Sequence, residues 1–216
     1  MKIEIFSDVI CPWCYIGKQR LDQVLASHSD INAELRWRPY LLYPNLPKEG
    51  MDRRTLLSRR YGEGADLGRV PERIREEAEA EGLALRYDLI ERTPNTLLAH
   101  RLLEFAYEVG GGALQHELAE RLFQAYFCEG VDVGRIDALV TVGVAVDLDP
   151  AEVRTYLEGD GGMGMVTEQL ERAPELGISG VPGYFLADGF LLPGAQSEET
   201  MGQIILRVQE RMAARG

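Results

Sequence analysis

Cysteine is scarce in this chain, with three in 216 residues. That excludes the disulfide framework of a small secreted domain. Histidine is as rare: His28, His100 and His116 show no ligand-pair spacing. Long apolar runs are missing as well, and none approaches the roughly 20 residues of a membrane span. Positive charge is in deficit, with 23 Lys and Arg against 35 Asp and Glu, a formal net charge of -12. Such a surface does not favour non-specific binding to nucleic acid or to an anionic membrane. Internal repeats and low-complexity segments are absent too. The N-terminal stretch lacks the apolar core of a signal peptide, so a cytoplasmic location is expected.

What is present is patterned. Residues 2–6 alternate, with Ile3 and Ile5 on one face, and read as a strand. Ser7 and Asp8 follow as turn residues. A helix is expected from Pro12 to about His28, with Leu21, Val24 and Leu25 at helical spacing. Residues 33–39 alternate apolar and charged side chains and predict a second strand with one buried face. Strand, helix, strand suggests a right-handed βαβ unit.

Between Asp52 and Leu157 the chain reads as helical, with one strand-like apolar run at 139–146. Helices are expected over 69–82, over 95–109 with Leu98, Leu102, Phe105, Ala106 and Val109 on one stripe, and over 116–127. Asp149 and Pro150 mark a further helix start. Late in the chain, 183–187 and 190–192 form a hairpin about Asp188-Gly189, and Ser197-Glu198-Glu199 opens a last helix ending near Arg211. The fold class expected is α/β, thioredoxin-like, with an inserted all-helical subdomain. Its halves are 1–44 plus 160–216, and the insertion is 45–159.

Cys11-Pro12-Trp13-Cys14 lies where the first strand meets the first helix. Unpaired N–H groups and the helix dipole favour a thiolate at that position. Cys11 is the expected nucleophile and the more exposed thiol, with the N–H groups of Trp13 and Cys14 aimed at its sulfur. Cys14, one turn deeper, is the resolving thiol. Zinc is the competing reading, but a structural zinc site takes four ligands, and Cys128 is the only other cysteine. A CxxC beside a βαβ pattern favours redox chemistry. The second element is Gly180-Val181-Pro182-Gly183. In a thioredoxin-like fold this loop faces the CxxC, and a cis Val181–Pro182 bond is expected, with Val181 backbone groups pairing to an extended substrate.

These residues carry a family resemblance. Residues 6–17, Phe-Ser-Asp-Val-Ile-Cys-Pro-Trp-Cys-Tyr-Ile-Gly, resemble the opening of the DsbA-like FrnE family. Residues 177–182 with Gly194-Ala195-Gln196 resemble its closing motifs, and Asn95-Thr96 with Ala99-His100 its helical insertion. The resemblance implies a disulfide oxidoreductase or isomerase with Cys11 and Cys14 as the redox pair and Pro182 as the cis-proline. It implies no metal and no organic cofactor beyond that pair. The partners implied are protein or small-molecule thiols and disulfides. The Pro12-Trp13 dipeptide lacks the histidine of the DsbA type, so a weaker oxidant is expected. The same superfamily holds 2-hydroxychromene-2-carboxylate isomerase and kappa-class glutathione transferases, which usually carry serine where this chain has Cys11. Glutathione remains open as a co-substrate. A glutathione-dependent isomerase or transferase of a small aromatic compound is the alternative, and a chaperone-like binding module a further one.

Other residues carry two readings each. Pro12 and Trp13 are expected to contact substrate, Trp13 through an exposed ring. Asn95 touches substrate or caps its helix. His100 assists proton transfer or makes a structural hydrogen bond. Asp8 tunes the thiol or serves the turn. Cys128 is a buried, inert cysteine or an auxiliary thiol.

Overall fold

The computed structural model describes residues 1–62, 69–187 and 189–214. Strand β1 (Lys2–Ser7), helix α1 (Pro12–Ser27) and strand β2 (Glu34–Pro39) form the expected βαβ unit. β1 and β2 are parallel, with Lys2 opposite Glu34 and Ser7 opposite Pro39. Pro12 sits in the first turn of α1, where its missing N–H costs no helical bond.

The chain then leaves the sheet. A miniature ribbon pairs β3 (Met51–Asp52) with β4 (Arg92–Thr93), and α2 (Arg53–Tyr61) and α3 (Glu72–Ala80) lie between them. Helix α4 (Leu97–Phe127) is interrupted at Gly111, whose φ of 67° and ψ of -161° are not helical. The long apolar stripe therefore ends early: Leu102, Phe105 and Ala106 are buried, while Val109 is 53% exposed beside the break. Gly112 lets the second half approach β2, since a Cβ there would meet the Leu35 carbonyl oxygen at 2.3 Å. Gln115 then covers the open edge of β2: its amide oxygen accepts from Trp37 N–H at 2.8 Å and its Nε2 donates to the Trp37 carbonyl at 3.2 Å.

Helices α5 (Ile136–Val144), α6 (Pro150–Glu158) and α7 (Met163–Glu175) follow. The strand-like run at 139–146 is thus corrected to helix. Leu139 and Val142 are buried on a helical face, and α5 packs on α4 and α6. Asp149 caps α6 by accepting from Ala151 N–H and Glu152 N–H. Arg101 is buried and donates to the carbonyls of Leu157 and Gly161, closing the end of the same helix.

The chain returns to the sheet with β5 (Gly183–Leu186), antiparallel to β1, and β6 (Phe190–Pro193), antiparallel to β5. The order is β2-β1-β5-β6. The two strands pair as the expected hairpin does, and Asp188 of its turn lies outside the described residues. Helix α8 (Glu198–Ala213) is capped by Ser197, which accepts from Thr200 N–H, and packs on α1. The expectation that β2 buries one face is also corrected. Arg36 and Trp37 are adjacent and both buried, because Glu104 of α4 meets the Arg36 guanidinium at 2.5 and 2.7 Å. Among the described residues no helix is long and apolar enough to cross a membrane.

Candidate active site

β1 ends on Ser7, and the chain turns through Asp8, Val9 and Ile10 into α1. Cys11 N–H donates to the Asp8 carbonyl at 2.9 Å, which closes the turn and sets Cys11 at the helix N-cap. Cys14 N–H donates to the Cys11 carbonyl at 3.0 Å. That amide serves the first turn of the helix, so the expectation that it points at the Cys11 sulfur is corrected.

Cys11, Cys14 and Cys128 are free thiols. Cys11 is 3% exposed and Cys14 1%, against the expectation of an exposed nucleophile. The reason is long-range: Cys11 belongs to the main apolar cluster, and the loop before β5 lies over it. The Val181–Pro182 bond is cis, and the Cys11 thiol donates to the Val181 carbonyl at 3.8 Å. Burial pushes the Cys14 thiol well above its ordinary range, and the neighbouring Cys11 adds to this. The Ser7 hydroxyl and Asp8 main-chain N–H pull it part of the way back. Burial therefore favours the neutral thiol of Cys14.

The helix carrying the thiols is fixed to the sheet by a close approach. A Cβ on Gly17 would meet the Tyr184 hydroxyl at 2.3 Å and Pro182 Cγ at 3.3 Å. Only glycine lets α1 lie so close to the strand that follows Pro182.

Asp8 and His100 are brought together. Asp8 is fully buried, and its carboxylate accepts from Leu42 N–H at 2.8 Å and Ile10 N–H at 3.4 Å. His100, reaching in from α4, stands 3.8 Å from that carboxylate and 3.1 Å from the Tyr40 carbonyl. The pair ties the turn before Cys11 to the inserted helices. Asn95 is not brought to the thiols. Its Nδ2 donates to the Leu46 carbonyl at 2.9 Å and its Oδ1 accepts from Leu97 N–H at 3.0 Å, which is the helix-starting role. Trp13 is half-buried, and the Arg73 guanidinium of α3 lies 5.4 Å from its ring centre, so the expected exposed ring is partly covered. Cys128 is half-buried beside the Tyr15 hydroxyl, and burial pushes its thiol up.

Pro12 borders a pocket of about 370 Å³. Ile10, Tyr43, Tyr87 and Tyr126 line it, and Arg53 and Arg69 bring cationic charge, with no acidic side chain in the wall among the described residues. Apart from Ile10, which belongs to the motif of residues 6–17, none of these was singled out in the sequence. They come from six separate stretches, and no local motif joins them. A shallower groove of about 260 Å³ runs along Ile178, Ser179, Val181, Pro182 and Leu191. Among the described residues no three or more His, Cys, Asp or Glu side chains converge as metal ligands would.

Several solved structures share this arrangement of elements. A probable DsbA oxidoreductase, SCO1869 of Streptomyces coelicolor, superposes with a TM-score of 0.83 at 32% identity, covering 97% of this chain and 90% of its own. 2-Hydroxychromene-2-carboxylate isomerase gives 0.70 at 18% identity over the whole of both chains. The cytosolic disulfide reductase DsbM of Pseudomonas aeruginosa, with glutathione, gives 0.67 at 16%, covering 98% of this chain and 100% of its own. In sequence, the uncharacterized protein YwbO of Bacillus subtilis (strain 168) is 28% identical over 210 residues, 97% of this chain and 98% of YwbO. The family model for the DSBA-like thioredoxin domain matches residues 2–205, and the chain belongs to that family.

Proposed function

We propose that this protein is a thiol–disulfide oxidoreductase or isomerase that works through Cys11 and Cys14. One observation supports it above the rest: two free, buried thiols one helical turn apart at the start of α1, with Cys11 under the Val181 carbonyl, in a DsbA-like fold. The Cys11 thiolate attacks one sulfur of a substrate disulfide. A Cys11–substrate disulfide forms, and the other substrate sulfur leaves with the bonding electron pair and takes a proton from solvent. Cys14 then loses its proton and attacks the Cys11 sulfur. The Cys11–Cys14 disulfide forms and the second substrate thiolate departs. Two electrons pass from the dithiol to the substrate, and the reverse sequence oxidises a dithiol. The pair supplies the electrons, so the cycle needs no metal or organic cofactor.

The two halves divide the work. Residues 1–44 with 160–216 carry the thiols and the Val181 carbonyl. The insertion, 45–159, walls the pocket beside Pro12. An apolar pocket with two arginines in a chain of net charge -12 suits a small disulfide that bears carboxylate, and a glutathione-bearing disulfide meets that description. The glutathione held by DsbM supports the same choice. A cytoplasmic setting with its glutathione pool fits this use. A glutathione-dependent isomerase is the second reading, favoured by the fold shared with 2-hydroxychromene-2-carboxylate isomerase.

The test is Cys11→Ser. Glutathione-coupled reduction of a small disulfide, and of insulin, should fall to the uncatalysed rate. Turnover at the wild-type rate in Cys11→Ser contradicts the proposal, and isomerase turnover that survives loss of Cys14 favours the second reading.

A further inference from the structure

The loop over Cys11 is thinly held. Two hydrogen bonds reach residues 179–181 among the described residues. The Cys11 thiol donates to the Val181 carbonyl at 3.8 Å, and the Tyr40 hydroxyl donates to the Ser179 carbonyl at 3.3 Å. The N–H groups of Gly180 and Val181 meet no acceptor among the described residues. Ser179 and Gly180 are exposed, and a Cβ on Gly180 would meet nothing within 4 Å. Tyr40 is held far more firmly. It follows β2 directly; its N–H donates to the Ser7 carbonyl at 2.9 Å and its carbonyl accepts from His100 Nε2 at 3.1 Å. Two residues on, Leu42 N–H donates to the Asp8 carboxylate at 2.8 Å. The Tyr40 ring packs against the small apolar cluster of Phe6, Ala173 and Ile178, and Val181 packs against the same cluster. Ser7 and Asp8 lead into Cys11. The main chain of Tyr40 is therefore tied to the turn that carries this thiol, and its hydroxyl to the loop above it.

We propose that Tyr40 is a positioning residue for exchange: its hydroxyl holds the main chain of residues 179–181 at the Cys11 sulfur, set for a substrate with a peptide main chain. This deepens the reading of Cys11 as the exchanging thiol and rests on it. An extended substrate must bring its sulfur in line with Cys11 while its main chain meets the open groups of the loop. The loop contains Gly177, at a φ of 77°, and Gly180, so it has much conformational freedom to lose. A hydrogen bond from a fixed ring removes part of that cost before the substrate arrives. Tyr40 acts through the loop rather than on the sulfur, so its effect belongs to substrates that use the loop.

The experiment uses Cys14→Ala with Cys128→Ser as the background, so that reaction stops at capture by Cys11. Stopped-flow absorbance follows release of thionitrobenzoate from two probes. One is its mixed disulfide with glutathione, which brings a peptide main chain; the other is dithionitrobenzoate, which brings none. Tyr40→Phe keeps the ring in the apolar cluster and removes only the hydroxyl. It should slow capture of the glutathione probe about fivefold, the loss of one ordinary hydrogen bond, and leave the dithionitrobenzoate rate unchanged. Adding Gly180→Ala, at a position with open space and no positive φ, stiffens the loop by other means and should restore most of that loss. Equal effects on both probes, or none on either, overturn the proposal, and so does a loss that Gly180→Ala leaves in place. Each of these results leaves the thiol pair standing. A background protein that releases thionitrobenzoate from neither probe overturns the proposed function as well.

Discussion

Two buried polar clusters in this protein are built to opposite ends. In one, Arg36, Glu104 and Gln169 close on one another. The guanidinium meets the carboxylate at 2.5 and 2.7 Å and also lies 3.4 Å over the Tyr107 ring, and Gln169 donates to the same carboxylate at 3.1 Å. In the other, the Ser7 hydroxyl at the end of β1 and the Tyr184 hydroxyl against Gly17 are buried and complete no hydrogen bond. The first joins β2 to the helical insertion through a paired charge, although Arg36 Nη1 and Gln169 Oε1 complete no hydrogen bond. The second lies beside the helix turn that carries Cys11 and Cys14. A charge met by its counter-charge holds two elements together, while a buried hydroxyl without a partner weakens its own surroundings.

Breaking the first cluster should cost the most. Glu104→Ala leaves the Arg36 charge buried without its carboxylate and should destabilise the fold by about 3–5 kcal/mol. Denaturant unfolding measures this, and the disulfide-exchange rate of the folded fraction should stay as in the wild type. A change in that rate would blur the distinction between the clusters.

Gly17→Ala presses on the second cluster. The new Cβ would stand 2.3 Å from the Tyr184 hydroxyl. A loss of about 1–3 kcal/mol is expected from overpacking. Here the exchange rates should change too, because Pro182, next to the Val181 carbonyl over Cys11, is in the same contact. Unchanged rates would mean that the wedge is purely structural.

The smallest effect concerns a third ion pair, Glu4 with Arg38. Burial pushes the Glu4 carboxyl up, and the Arg38 guanidinium more than reverses this, holding it below its ordinary value of 4.5. The unfolded chain then binds the proton more readily. The contribution to stability is complete above about pH 4.5 and is lost as pH falls through the lower folded value. Glu4→Gln should flatten the stability profile in that acid window and leave exchange unaffected. An unaltered acid slope in Glu4→Gln would remove the pair from the account.

The two clusters differ in how far the sequence reveals them. Local signals are plain where a pattern spans one element: the alternation of β1, Pro12 at the start of α1, the Asp149 and Ser197 caps. The CxxC and the Val181-Pro182 pair were legible for the same reason. Arg36 reads as a surface residue in an alternating strand, because its partner Glu104 lies on another element. The run at 139–146 has no periodicity that separates strand from helix, and tertiary contacts with α4 and α6 decide it. The ribbon of β3 and β4 is too short to show a period. The burial of Cys11 depends on a loop far along the chain. The tyrosines and arginines of the pocket meet only in three dimensions.

The most direct measurement is a trapping experiment. Cys14→Ala removes the resolving thiol, so a disulfide substrate should remain attached to Cys11, and mass spectrometry of peptides should find one adduct at that residue. No adduct at Cys11, or one confined to Cys128, would contradict the central claim that exchange begins at the first residue of the CxxC.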